Sequence, residues 1–323
     1  MAKDRFENKV SIRGWVWDYK LDERKTSSTA NTPDMDFISG WTDIATDEDG
    51  LNIVRVSWGF LGTRRTYKNG KNNDTYDCLG QLMGGSSWKN DGKDNAPRVR
   101  IDGSIETNDW VTREGELVSP KQVTGQFCHM LTTTEQTTPC AKFSADMLAQ
   151  NAVMRESQSG DEYMELKGFV FGWGDNIFPV TFSVPGEAGQ KFFEDCEVTP
   201  SEPYFGKVWG EIHSSVQHIE REVDDSQVGF GAVDVTESTR TLRTWDVEGA
   251  NINLGLSTET IEQSDLERMV AHREERLADV KARAEARNNS AGGQSGFPAS
   301  ANTSAAAAPK KKAVATFDDD FPF

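Results

Sequence analysis

The sequence predicts an all-β protein in which two related β domains precede one C-terminal helix and a flexible tail. Three observations lead there. Residues 8–256 alternate short apolar runs with turn signals such as Asp49-Gly50, Asn69-Gly70 and Asp91-Gly92-Lys93, the pattern of many short strands in a sandwich or barrel. Two short stretches of the first half recur in the second. Helical apolar spacing begins only after Leu256.

The repeat sets the domain plan. Arg13-Gly14-Trp15-Val16-Trp17 returns as Lys167-Gly168-Phe169-Val170-Phe171, and Ile101-Asp102-Gly103-Ser104-Ile105 returns as Val208-Trp209-Gly210-Glu211-Ile212. The order is kept, but the first copy spans about twice the distance of the second. This predicts a domain over 1–150 with long loops and a second β domain over 158–256. The segment 257–287 reads as one helix: Leu266, Met269, Val270, Leu277 and Val280 share a stripe, Thr260 and Gln263 suit a capping box, and Asp279 and Arg283 are an i,i+4 pair. Such a helix either packs on a barrel or pairs with another copy, which would make a homo-oligomer. Residues 288–323, rich in Asn, Ser, Gly and Ala, lack the apolar content to fold and read as a flexible linker ending in an acidic tip.

Composition narrows the function. The net charge is −17, and the tail from 288 contributes none of it, since Lys310, Lys311 and Lys312 balance Asp318, Asp319 and Asp320. For a polyanionic partner the local field matters more than the sum. Arg64, Arg65, Lys68 and Lys71 share one Gly- and Asn-containing loop with no acid between them, which suits either a phosphate backbone or a solvated hairpin tip. No apolar run reaches the ~18–20 residues of a membrane span, and the start from Met1 has no secretory signal pattern. A cytoplasmic location is expected, the host's if the chain is phage-encoded.

No catalytic constellation is visible, so a non-enzyme without cofactors is expected. There is no GxxxxGK[ST] loop, and Gly84-Gly85 lacks the following lysine. His272 has no second histidine at metal spacing, and Cys78, Cys128, Cys140 and Cys196 form no CxxC pair, so no metal site is expected. Asp47-Glu48-Asp49-Gly50 reads as a hairpin turn rather than a calcium loop.

Alternation along the strands singles out a surface. If Val10, Ile12, Gly14 and Val16 face a barrel interior, then Ser11, Arg13, Trp15, Trp17 and Tyr19 face outward together. In the second copy Met164, Leu166, Gly168 and Val170 point in, and Lys167, Phe169, Phe171 and Trp173 point out. A cation followed by alternate aromatics is what stacking of single-stranded bases needs, each ring contributing roughly 1–3 kcal/mol. The competing reading has these rings covered by a helix, a loop or another subunit. In Val54-Arg55-Val56-Ser57-Trp58, Trp58 shares the core face and Arg55 points outward.

Two segments resemble bacterial single-stranded-DNA-binding proteins. Asn8-Lys9-Val10-Ser11-Ile12-Arg13-Gly14 is similar to that family's first strand, and the segment from Val99 to Trp110 to its later Val-x-Ile-acid-Gly-x-aliphatic-x-Thr-x-x-Trp strand. The end, Asp318-Asp319-Asp320-Phe321-Pro322-Phe323, resembles the acidic run closed by Ile-Pro-Phe through which the family docks replication and repair enzymes. The resemblance covers roughly the first 130 residues and the last eight. It implies OB folds (five-stranded Greek-key barrels), a base-stacking role for Trp110, single-stranded DNA as ligand, and partner docking by residues 318–323 in replication, recombination and repair. A phage-encoded version would account for the extra length. The expected function is therefore non-sequence-specific coating of single-stranded DNA, with Arg13, Arg55, Lys167 and the Arg64–Lys71 loop on phosphates. The alternative is a decoy that uses the tip to sequester host enzymes without binding DNA, a reading the acidic charge favours and the outward aromatics oppose.

Overall fold

The chain enters its first strand with Val10, Ile12 and Val16 directed inward and almost fully buried. This is β1 (Asn8–Lys25), followed by β2 (Asp36–Ala45) and β3 (Ile53–Trp58) in antiparallel succession. The computed structural model describes residues 6–27, 34–67, 69–132, 135, 138–157, 160–201, 203–221, 236–252 and 263–291. After β3 come three short helices, α1 (Phe60–Thr63), α2 (Asp74–Leu82) and α3 (Trp88–Asp91), and then β4 (Arg98–Thr107). A small hairpin of β5 (Trp110–Val111) and β6 (Leu117–Val118) leads into β7 (Lys121–Met130).

Strand pairing closes the first barrel. β1 pairs antiparallel with β2 and β4, β2 with β3 and β4 with β7, while β3 runs parallel to β7. The ring order β1-β2-β3-β7-β4 is the five-stranded Greek key of an OB fold. The second barrel repeats it with β8 (Cys140–Glu156), β9 (Glu162–Phe171), β10 (Ile177–Val184), β11 (Tyr204–Arg221) and β12 (Thr236–Ile252). There β10 runs parallel to β12, and β11 closes back on β8. Each barrel carries a helix between its third and fourth strands: α2 in the first, α4 (Glu187–Asp195) in the second, where Phe193 is buried. Tandem OB folds, one long C-terminal helix and an all-β body agree with the fold class expected from the sequence.

The recurring motifs fall differently. Gly103 and Gly210 lie on the fourth strands, β4 and β11, and each sits at a register shift against the fifth strand. A Cβ at Gly103 would lie 2.3 Å from the Thr124 carbonyl oxygen, and one at Gly210 would lie 1.9 Å from that of Asp246. The repeat thus marks a close backbone approach that only glycine fits. Gly103→Ala is expected to cost about 2–4 kcal/mol, read as a lowered urea midpoint, because the obstructing atom is backbone and cannot rotate away.

The first pair of motifs does not superpose. Arg13–Trp17 lies on the first strand of its barrel, whereas Lys167–Phe171 lies on the second strand of the other. The counterpart of β1 is β8, whose inward set of Ala141, Phe143, Ala145, Met147 and Ala149 is small and alanine-rich, a weak strand signal. The expected break between 150 and 158 falls inside and just past this strand, so the second barrel begins earlier, at Cys140.

The two first strands join the barrels. β1 and β8 pair antiparallel from Asn8 with Ala145 to Arg13 with Cys140, giving one ten-stranded sheet and one shared apolar core. Asn8 adds a cross-link, its Nδ2 donating to the carbonyls of Ile105 and Phe171 at 2.9 and 3.0 Å. Lys121 reaches from β7 to the Thr181 carbonyl, with its ammonium 5.6 and 5.5 Å from the Phe182 and Trp245 rings. Burial pushes this amine down to about 8, against the pull of Asp246 and Glu165. The unfolded chain then holds the Lys121 proton more tightly than the folded one, so stability rises as pH climbs from about 8 towards 10. Since the residue keeps some exposed surface, the gain is set on the order of 1–2 kcal/mol. Lys121→Met should remove that slope from chemical-denaturation curves.

α5 (Gln263–Ala291) is the helix expected at 257–287. Its Leu266, Met269 and Val270 pack with Leu148, Phe171, Ile177, Phe169, Phe205 and Phe6 in a separate apolar cluster. Of the two readings for this helix, packing on a barrel is the one observed. Residues 1–282 form one compact unit, and the end of α5 from Arg283 belongs to a second.

Candidate nucleic-acid interface

The outward face of β1, β2 and β3 is where the first barrel gathers aromatic rings and cations. Asp18 stands opposite Asp43, and Asp43 opposite Arg55, on one rung; Lys20, Trp41 and Ser57 make the next. Arg55 forms a two-pronged ion pair with Asp43, both bonds at 2.8 Å, and lies 3.9 Å over the Trp41 ring. The hydrogen bonds it donates to Asp43 hold the guanidinium above the usual range despite partial burial. Arg55 does point outward, but its charge is already paired with Asp43, and its flat face lies on Trp41.

The aromatic stripe of β1 is rearranged by two features. First, a register shift between Val16 and Asp18 places a bulge at Trp17, reversing the alternation beyond it. Tyr19 therefore leaves the outward set, packs against the core and donates its hydroxyl to the Gly85 carbonyl at 2.8 Å. Second, α3 lays Trp88 over the stripe, with ring centroids 5.7 Å from Trp15 and 5.5 Å from Trp17. Trp15 is left 8% exposed and is a covered ring rather than a free platform. Trp17 and Trp88 stay half-buried.

Cations line this cluster. Lys93 Nζ is 4.4 Å from the Trp15 ring and 5.2 Å from Trp88, and Arg98 is 4.7 Å from Trp15. The turn after β2 closes over the rings, since a Cβ at Gly50 (φ +72°) would meet Trp17 and Trp88 at 3.0 and 3.1 Å. That turn is the hairpin expected at Asp47–Gly50, with Asp47 accepting the Leu51 and Asn52 amides. Lys93 bonds Glu48 of the turn at 2.6 Å, and Lys89 bonds Asp18 at 2.7 Å. The result is a band of partly buried Trp17, Trp41 and Trp88 interleaved with Lys89, Lys93, Arg55 and Arg98. Trp41, Trp88, Lys89, Lys93 and Arg98 were not among the expected site residues. Only Trp88-Lys89 and Lys93 beside turn glycines could have hinted that this insertion folds back on the stripe.

The other expected residues scatter. Arg13 stands on the seam between barrels, opposite Arg100 on one side and Cys140 on the other, and its Nε is buried with no hydrogen-bond partner. The loop of Arg64, Arg65 and Lys71 is a hairpin pinned by the Thr66–Asn72 bridge. Arg64 lies 5.9 Å from the Tyr67 ring, Arg65 pairs with Asp36 at 3.4 Å, and Lys71 is exposed. Trp110 is 39% exposed on β5. Lys68 and the tip 318–323 lie outside the described residues.

The second aromatic stripe is not a free surface. Phe171 is 1% exposed beneath α5, with its ring centroid 4.4 Å from Phe6, and Phe169 packs into the same cluster. Trp173, in the turn that follows, is 77% exposed. Lys167 is outward but pairs with Glu165 at 2.5 Å. The covered-by-a-helix reading holds for this copy because α5 supplies the apolar face that the stripe lacked.

The family described as YorF matches residues 7–283, which takes in both barrels and the packed part of α5. This chain belongs to the YorF family. For this YorF protein no match was found among curated proteins. Two solved structures are similar in outline: the wild-type single-stranded DNA binding protein from Thermus aquaticus and a deletion mutant of it. Both have 14% identity and a TM-score of 0.45, covering 79–80% of this chain and 97–99% of theirs. The family shown is thus YorF, not the bacterial family that the strand motifs resemble, and the tandem OB assignment stands on the strand pairings themselves. No described helix is long and apolar enough to cross a membrane.

Proposed function

We propose that this YorF protein binds single-stranded DNA without sequence preference and acts as a binding protein rather than an enzyme. The observation that carries the reading is the band of Trp17, Trp41 and Trp88 interleaved with Lys89, Lys93 and Arg98 on one barrel face. Bases stack on the open parts of these rings while cations follow the phosphates, and stacking lessens the dependence on net positive charge. The exposed Arg65 and Lys71, with Arg64, add further cations in this reading, whereas Arg13 stands on the barrel seam and Trp110 on β5. Phe169 and Phe171 serve the α5 interface instead.

The same reading gives the C-terminal tip a docking role for replication, recombination or repair enzymes. A partner pocket would take the Phe323 ring and pair Arg or Lys with the three aspartates. Deleting residues 316–323 is expected to abolish capture of such enzymes and to tighten DNA binding slightly, by removing an acidic competitor. Unchanged capture in a pull-down refutes the docking role.

Fluorescence anisotropy with labelled oligo(dT) and a duplex of equal length tests the main proposal. Saturable binding to the single strand, at least tenfold tighter than to the duplex, is expected. Equal affinity, or none, contradicts it.

A further inference from the structure

Cys78 and Cys128 come from distant parts of the first barrel, 50 residues apart, yet their sulfurs meet at 3.2 Å in a hydrogen bond. Cys78 sits on α2 and is 5% exposed; Cys128 sits on β7 and is fully enclosed. The contact is prepared by its neighbours. Asn73 caps α2 by accepting from the Thr75 amide, and its Nδ2 donates to the Gly62 and Arg64 carbonyls at 2.9 Å. One turn before Cys78, the Thr75 hydroxyl accepts from the Cys128 amide at 3.2 Å. Helix and strand are therefore in register before any covalent bond forms. Neither sulfur is needed for the proposed DNA face.

We propose that Cys78 and Cys128 are a thiol–disulfide modification site that reversibly locks α2 onto β7. The shared hydrogen bond favours the thiolate on Cys78, helped by the Met130 backbone amide, and keeps the proton on Cys128. Cys140 and Cys196 differ: burial pushes both thiols up. The oxidant that suits so enclosed a pair is a small hydroperoxide. The Cys78 thiolate attacks one oxygen of hydrogen peroxide, forming a sulfenic acid and releasing hydroxide. The Cys128 sulfur then attacks Cys78 Sγ; its proton and the departing hydroxide leave as water. In sum two thiols and one peroxide give one disulfide and two waters, and a dithiol reductant reverses the change. Because α2 follows directly on the Arg64–Lys71 hairpin through the Asn73 cap, the lock also fixes the base of that basic loop.

The full-length protein is treated with hydrogen peroxide, alkylated, digested and mapped by mass. The expected result is a linked pair of peptides carrying Cys78 and Cys128, two hydrogens lighter than the free peptides, that dithiothreitol separates. The oxidised protein should melt several degrees higher, because the ring closed by the bond restricts the unfolded chain. In Cys128→Ser, Cys78 should stop at a sulfenic acid that dimedone captures. Peptide mapping of the wild-type protein decides the matter even if that variant folds poorly. Oxidation confined to Cys140 and Cys196, a link between any other pair, or sulfinic acid on Cys78 without a link would overturn the proposal.

Discussion

Asp109→Ala is expected to lower the stability of this YorF protein by about 3–5 kcal/mol. Asp109 follows β4 and is almost fully enclosed, its side chain 6% exposed. One oxygen receives Arg273 at 3.1 Å and the other receives Arg276 at 2.7 Å, both from α5. Arg273 is itself nearly buried, also donating to Thr107, Ser119 and the Ile177 carbonyl. Arg276 donates to Asn176 at 3.2 Å and lies 5.3 Å from the Phe178 ring. The carboxylate thus clasps a first-barrel turn to the helix that covers the second barrel. Removing it leaves the Arg273 charge buried without a counter-ion, which costs more than the ion pair itself contributes. The urea midpoint should fall steeply, and the dye ANS should bind as Phe171 and Phe169 lose their cover.

The clasp also predicts acid sensitivity. Burial alone would raise the Asp109 carboxyl, but bonds from Ser119 and Thr107 and the charge of Arg273 outweigh it and hold it below the usual range. A depressed folded pKa contributes stability above the unfolded value, ~3.9, that is lost as pH falls below it through the folded value. Asp109→Asn should flatten that part of the stability profile.

Trp41→Ala and Trp88→Ala are each expected to weaken oligo(dT) binding by about 1–3 kcal/mol, and together by at least ~30-fold. Trp41 is the cleaner test, because its ring rests under Arg55 on the outside of the barrel. Trp88 also packs on Trp15 and Trp17, so its substitution needs a parallel melting curve. Phe171→Ala provides the contrast. It should cost about 3 kcal/mol or more of stability and leave DNA affinity unchanged. Equal loss of affinity in Phe171→Ala and Trp41→Ala would place the binding surface elsewhere.

How far the sequence speaks depends on the range of the physics involved. Inward positions of β1 and β3 were legible because alternation is local: Val10, Ile12, Val16 and Val56 are buried, and so is Trp58, which donates to Thr42 at 2.9 Å. The fourth-strand glycines were legible for the same reason, each marking a backbone contact. β8 was not, since alanines and serines carry little strand signal and its burial comes from pairing with β1 and β11. The aromatic stripes do point outward from their own barrels, Tyr19 excepted, and of the two readings the covered one applies to Trp15, Phe169 and Phe171. Nothing near Trp15 in sequence announces Trp88, and nothing near Phe171 announces Met269. A bulge at Trp17 likewise cannot be counted from alternation, because it is the step that breaks the count.

The central claim is that bases stack on the tryptophans of the first barrel, and intrinsic tryptophan fluorescence during titration with oligo(dT), at low and then high salt, tests it most directly. The account predicts strong, saturable quenching that survives moderate salt and is largely lost in the Trp41→Ala Trp88→Ala variant. Absence of quenching at either salt would contradict it and remove this face as a platform for single-stranded DNA.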